Sequence, residues 1–235
     1  MTSSSNFPNQ FQQQSLDLIN SLIAIDAAVF YLVDPDLQHK GVVRYKLSPA
    51  TEIDYQKKFG HLDPLSPDKF HNSSDKVITL SAQLSEQQLY RSEYYQQFMA
   101  PNQQRYVADI LLRQQQRIIA VISVIRSPAA SDFNPQELAL LNKLQPFFEY
   151  ALNAVYLPKR VAERQSLQEK YQLTEREVDV LELIIAGLSN KLIARELMVE
   201  LATIKTHLIH IYKKTAVATR SELLALIISD LKQQH

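Results

Sequence analysis

Cysteine and tryptophan are absent from this 235-residue chain, and glycine occurs three times, as Gly41, Gly60 and Gly187. Without cysteine there is no disulfide, no thiolate metal site and no cysteine nucleophile, which suits a reducing compartment. Three scattered glycines cannot build a phosphate-cradling loop, and neither G-x-S-x-G, H-E-x-x-H nor a Walker A run occurs. No stretch of eighteen apolar residues exists, and the first residues, MTSSSNFPNQFQQQ, lack both the basic and the apolar segment of a signal peptide. The expectation is a soluble, cytoplasmic protein that is not an enzyme and has no cofactor, no metal site and no membrane partner.

Net charge is missing too, since 25 Lys/Arg balance 25 Asp/Glu. The balance hides an asymmetry. Residues 1–157 carry 13 basic and 15 acidic side chains, whereas between Ser189 and Arg220 six Lys/Arg stand against two acids, Glu196 and Glu200. A local positive excess of this kind is the footprint of a surface that meets phosphates.

What the chain does have is punctuation. In residues 173–223, Thr174 and Glu177 have capping-box spacing and open a helix that runs to Ala186. Gly187 follows where a left-handed residue closes a helix, and Ser189 is an N-cap for a second helix ending near Leu197. A third runs from about Leu201 to Lys214 with Ile204, Leu208 and Ile211 on one face, and Thr219 with Glu222 opens a fourth. A short helix, a three-residue break (Met198, Val199, Glu200) and a longer helix is the arrangement that lets the second helix enter a DNA major groove. With Ile204, Leu208 and Ile211 buried, Lys205, Thr206, Ile209 and His210 face outward near its N-terminal half. His207 and His210 have a spacing that could bracket a metal, but no third ligand lies near them in sequence.

These residues resemble a known family, the LuxR-type (FixJ/NarL-type) helix-turn-helix of bacterial transcription regulators. The likeness is carried by LTEREVDVL, by AGLSNKLIA, and by T-I-K-T-H followed by Ile211, Lys214, Val217 and Arg220. It covers roughly residues 170–231. It implies that Lys205, Thr206 and Ile209 lie towards bases and Asn190, Lys191, Thr203, His207 and Lys214 nearer phosphates; Ser189, His210, Lys213 and Arg220 complete the candidate DNA-binding set. Implied partners are double-stranded promoter DNA and a second copy of the chain, with RNA polymerase also a candidate. The sequence departs from the family at Glu200, where a Ser N-cap is usual, and at Thr215-Ala216. Glu is a weak N-cap and its charge is unhelpful beside a phosphate backbone.

The last helix carries apolar side chains over more of its circumference than one core requires. Leu224, Leu226, Ile228 and Leu231 are therefore candidates for a two-fold dimer contact, the competing reading being a contact with the sensor domain of the same chain.

Upstream, hydrophobic patterning predicts a loose segment over residues 1–12, a helix over Ser15–Ala24, strands at 27–34 and 41–47 joined across Asp34-Pro35-Asp36, and a short helix from Ser48 to Phe59. A Pro-punctuated loop follows, then a strand at 76–80, a helix from Ser85 to Met99, strands at 105–112 and 117–125, and a long helix from Asn134 to about Tyr156. Asp34 and Asp36 end a strand as the acids of a phospho-receiver do, but the strand at 76–80 ends in no aspartate that could take phosphate. The order gives an α+β domain, an antiparallel sheet flanked by helices, ahead of an all-α four-helix domain. It resembles the GAF/PAS-like sensory domains that precede this helix-turn-helix. The expected organisation is a sensor over 1–157, a linker over 158–170 and a DNA-binding domain over 171–235.

Aromatic residues concentrate in the first half, where Tyr31, Tyr45, Tyr55, Phe59, Asp63, Tyr95, Phe98 and Tyr106 are candidates for a small-molecule effector site. The run DYQKKFGHLDPL faintly resembles acyl-homoserine-lactone receptors, which would give Asp63 the ligand amide and make Tyr55 and Phe59 walls; the tryptophans of those receptors are missing. A lactone, another ligand and an unliganded domain all remain open, and Asp63 also suits a turn before Pro64. The reading as a whole is a DNA-binding transcription regulator under sensor control, the alternative being a protein-interaction adaptor whose helix-turn-helix has weakened DNA affinity.

Overall fold

The computed structural model describes residues 10–33 and 39–233. The loose segment expected over residues 1–9 and the Asp34-Pro35-Asp36 turn lie outside the described residues. The chain forms two compact units, Phe11–Asn153 and a second built from Ala154 onward. No helix among the described residues is long and apolar enough to cross a membrane.

In the first unit the order is α1 (Gln10–Leu22), β1 (Ala27–Val33), β2 (His39–Tyr45), α2 (Pro49–Asp54), β3 (Val77–Thr79), α3 (Leu80–Gln83), α4 (Glu86–Arg91), β4 (Tyr106–Gln114), β5 (Arg117–Arg126) and α5 (Pro135–Ala151). The strands make one sheet in the order β2-β1-β5-β4-β3, antiparallel at every pairing. This is the antiparallel sheet with flanking helices that the patterning predicts.

Several local expectations need correction. Residues 10–12 belong to α1, because the Gln12 side chain is fully buried and donates to the Phe30 carbonyl at 3.1 Å and to that of Gly41. The single helix expected from Ser85 to Met99 is broken at Ser92, whose hydroxyl donates to the Leu89 carbonyl at 2.7 Å and accepts from the Tyr95 amide at 3.1 Å. It thus ends α4 and starts a π-helical turn, Tyr94–Met99, that carries Tyr94 and Phe98 into the core. Pro67 does not forbid regular structure, since it occupies the first turn of a 3-10 segment, Pro67–Phe70. The long helix expected to Tyr156 holds α-geometry to Ala151 and continues as a π-helical turn over Leu152–Tyr156. Its start is as read, with Asn134 and Glu137 forming a capping box ahead of Pro135.

The second unit is all helical: α6 (Leu157–Tyr171), α7 (Glu175–Ile185), α8 (Asn190–Glu196), α9 (Leu201–Thr215) and α10 (Arg220–Gln233). One apolar cluster joins all five, including Leu167, Leu181, Ile193, Ile204, Leu208 and Ile227. Residues 158–170, expected as a linker, are helical in α6. Leu167 there is 1% exposed, and Arg160 and Arg164 hold Glu182 of α7 at 2.7 and 2.8 Å.

Arg126, at the end of β5, ties the first unit's last helix to its sheet. It makes a two-pronged pair with Glu137 at 2.6 and 3.1 Å and donates to the carbonyls of Ala24, Ser131 and Asp132. The Arg126 guanidinium holds the Glu137 carboxyl below the usual carboxylate range. A depressed folded-state pKa means the pair's contribution is complete above the unfolded value, about 4.3, and is lost as pH falls through the lower folded value. Arg126→Leu is expected to destabilise the first unit by about 3 kcal/mol in urea unfolding and to flatten its stability loss below pH 5.

Candidate functional site: an exposed helix face and a buried carboxylate cavity

The helix-turn-helix is positioned by caps and polar ties that the sequence makes legible. The Thr174 hydroxyl accepts from the Glu177 amide at 3.3 Å while the Glu177 carboxylate accepts from the Thr174 amide at 2.8 Å. That carboxylate, 2% exposed as a residue, also takes Lys214 of α9 at 2.6 Å. Burial pushes the Glu177 carboxyl up, but Lys214 and the Thr174 amide and hydroxyl outweigh it and hold it below its ordinary value. Gly187 has φ +83 and closes α7, and Ser189 caps α8 through the Leu192 amide.

Between α8 and α9 the chain turns through Met198 at φ +52, and Glu200 stands at the N-cap of α9 in extended geometry with no side-chain capping bond. Ile204, Leu208, Ile211 and Thr215 form the buried face of α9. Opposite it, Lys205, Thr206, Ile209 and His210 are exposed, Ile209 at 64%. Thr203, Ser189, Lys191 and Lys213 are exposed as well, and His207 is half-buried. His210 Nδ1 lies 3.9 Å from Glu177. Among the described residues no group of three or more His, Cys, Asp or Glu side chains could hold a metal ion.

Several of the candidate DNA-binding residues have partners inside the unit, among them Ser189 as the α8 cap and Thr206, which donates to the Ala202 carbonyl at 3.1 Å. Lys214 is held by Glu177. Arg220 donates to the carbonyls of Ile184 at 3.1 Å and Leu188 at 2.7 Å, satisfying the end of α7, and reaches Asn190 Oδ1 at 3.5 Å. Of the four α10 candidates, Leu231 is 1% exposed and packs in the core of its own unit, so it is unavailable to a second copy; Leu224, Leu226 and Ile228 are half-buried. The physical reason is that α10 presents Leu223, Ile227 and Leu231 to that core, one turn apart.

The first unit encloses a cavity of about 50 Å³ against one face of the sheet. Tyr31, Tyr55, Asp63 and Phe98 line it; Tyr45, Phe59, Tyr95 and Tyr106 do not. Phe59 backs the wall, its ring 5.2 Å from that of Phe98, while Tyr95 lies edge-on to Tyr90 at 4.9 Å and Tyr106 packs under Arg105. Sequence reasoning missed Glu52, Tyr94, Asp109 and Ser123, which also line the cavity. Val29, Ser123, Asp109 and Ile78 are register partners across β1, β5, β4 and β3, so they form one row on that face. The signal was available: an aspartate inside the apolar strand run YVADILL, in phase with Val107 and Leu111, is a charge aimed at the core.

Asp63 is well served, accepting from the Leu65 amide and the Tyr55 hydroxyl at 2.8 Å each, and from the Tyr94 hydroxyl. Burial still raises its pKa against those bonds. Asp109, 3% exposed, is pushed well above the carboxylate range by burial and by Asp63, with Ser123 the opposing hydrogen bond; its Oδ1 has no partner among the described residues. Tyr31 is likewise pushed up by burial and by Asp109 and Asp63.

With this geometry in hand, similarity to known proteins decides the family. The chain is 34% identical over 215 residues to a monoamine regulon transcriptional regulator of Klebsiella aerogenes, covering 89% of this chain and 87% of that one. Residues 171–227 match the family model described as bacterial regulatory proteins, luxR family. The chain belongs to the luxR family. Among solved structures, SdiA of Escherichia coli is similar with a TM-score of 0.43 and 17% identity over 96% of this chain and 90% of that one. A GAF domain/HD domain protein of Geobacter sulfurreducens gives a TM-score of 0.47 and 10% identity over 63% of this chain and 94% of that one. For this luxR-family chain, Arg220→Ala is expected to remove the donor to the Leu188 carbonyl, the Ile184 carbonyl keeping the Gly187 amide at 3.0 Å, and to destabilise the second unit by about 2 kcal/mol. Faster amide hydrogen exchange in α7 checks this, with Lys205→Ala as the silent control.

Proposed function

We propose that this luxR-family regulator binds promoter DNA through the exposed face of α9 and that the cavity of its first unit holds a small-molecule effector. The single observation carrying the DNA reading is that face: Lys205, Thr206, Ile209 and His210 stand free of the core on a helix braced from behind by Glu177 and Lys214. Lys191 and Lys213 add exposed positive charge for phosphates. Lys214 and Arg220, engaged by protein partners, act first as supports for the helix.

The working form is a homodimer in the cytoplasm reading two half-sites, with Leu224, Leu226 and Ile228 in the contact between copies. Effector binding shifts the population of arrangements of the two DNA-binding units. Because the Klebsiella relative is named for a monoamine regulon, genes of amine metabolism are the first promoters to test. The residues offered as the DNA contact, the division into sensor, linker and DNA-binding domain, and RNA polymerase as a further contact belong to the same proposal.

Fluorescence anisotropy with labelled promoter fragments at two salt concentrations is the test, because phosphate contacts make affinity fall steeply with salt. Lys205→Ala should weaken binding by about 1 to 3 kcal/mol if it reads a base, or by less and with a shallower salt slope if it meets only phosphate. Salt-insensitive or absent binding in a folded protein would favour the adaptor reading, for which the uncapped, exposed Glu200 is the motive.

A further inference from the structure

Three carboxylates, Glu52, Asp63 and Asp109, line one small apolar-walled cavity, and among the described residues no lysine, arginine or histidine lines it with them. Taking a carboxylate out of water is costly unless it gains hydrogen bonds or an opposite charge. Asp63 has its hydrogen bonds, and Glu52 takes Gln56 at 3.0 Å. Asp109 is different. It sits in mid-strand, 3% exposed, with Oδ1 unpartnered beside the cavity space. A fold that needed only a core would place an apolar residue there, as at Val107 and Leu111 on either side.

The rings of Tyr55, Tyr94 and Phe98 line the same cavity, packed with centroids 5.6 Å (Tyr55–Phe98) and 5.4 Å (Tyr94–Phe98) apart, the two tyrosines donating their hydroxyls to Asp63. Aromatic faces and a carboxylate in a desolvated pocket are complementary to a cation that carries apolar substituents. A metal ion fits poorly, since no cluster of three or more metal-ligating side chains exists among the described residues. Size narrows the ligand further. A water needs roughly 10–15 Å³ of such space, so the cavity of about 50 Å³, partly open to solvent, holds a compact cationic head group whose substituent extends towards the opening.

We propose that the cavity receives a small organic ammonium ion, whose N–H donates to Asp109 Oδ1 while its carbon skeleton lies against Tyr55, Tyr94 and Phe98. This rests on the reading of the cavity as the effector site and names the chemical class of the effector. The ammonium supplies both the donor that Oδ1 lacks and the positive charge that Asp109 and Asp63 together demand. Burial and the neighbouring Asp63 press Asp109 towards its protonated form in the empty cavity, so an arriving ammonium ion binds with release of that proton to solvent and restores the carboxylate it pairs with.

Isothermal titration of the full chain with propylammonium and benzylammonium, against propanol, benzyl alcohol and N-hexanoyl-homoserine lactone, tests the proposal. At least one ammonium probe should saturate a single site, with its alcohol isostere and the lactone weaker by about tenfold or more. Asp109→Asn should lose about tenfold or more of the ammonium affinity while the circular dichroism spectrum stays unchanged. Should that variant fail to fold, the ammonium-to-alcohol ratio in the unmodified chain still decides. Equal binding of alcohol or lactone, an unaltered Asp109→Asn, or no ammonium binding in a chain that still binds DNA overturns the ammonium site alone. Loss of DNA binding in the unmodified chain instead overturns the regulator reading.

Discussion

The Glu177 carboxylate is the tie on which the second unit depends. It completes the cap that starts α7 and, through Lys214, fixes the far end of α9, so one buried acid sets both the scaffold helix and the helix that projects from it. Removing either charge would leave the other without its partner, which is why such pairs are costly to break even where forming them gains little. The free face of α9 follows from this economy. Its apolar side and its C-terminal lysine are spent on the scaffold, leaving Lys205, Thr206, Ile209 and His210 outside the core, with the Thr206 hydroxyl on the Ala202 carbonyl of its own helix and His210 3.9 Å from Glu177.

A second constraint governs the first unit. Strand alternation commits every other residue of β4 and β5 to the cavity face, so Asp109 and Ser123 are buried wherever their neighbours are. Asp63, from a separate turn, takes three donors of its own, whereas Asp109 keeps a buried oxygen with no partner among the described residues. The same sheet is held to α5 by Arg126, and Gln145 of α5 donates to the Leu111 carbonyl at 2.9 Å.

Capping signals made the second unit legible. Thr174/Glu177, Gly187 and Ser189 act over three or four residues, a range that local sequence encodes, and the α7–α10 boundaries follow them closely. Periodicity likewise gave the strands. What escaped had two causes. The burial of Gln12 needs the Phe30 carbonyl, distant in sequence, whereas the break at Ser92 and the packing of Tyr95 on Tyr90 and of Tyr106 under Arg105 rest on near neighbours whose side-chain geometry, unlike a cap, has no fixed spacing. Aromatic content pointed to seven cavity residues, of which three line it, because core and pocket draw on the same side chains; Asp63, chosen for its place before Pro64, lines it too. The misplaced polar residue, Asp109, was the better guide.

The scarcity of glycine leaves its own mark. Seven described residues other than glycine hold positive φ, among them Gln115 and Gln116 in the β4–β5 turn, Gln172 after α6 and Ala216 after α9. An L-residue held there costs roughly 1 kcal/mol or more relative to glycine. The protein therefore keeps a reserve of untapped thermostability at its helix ends, and heat should melt it first where α6 and α9 stop.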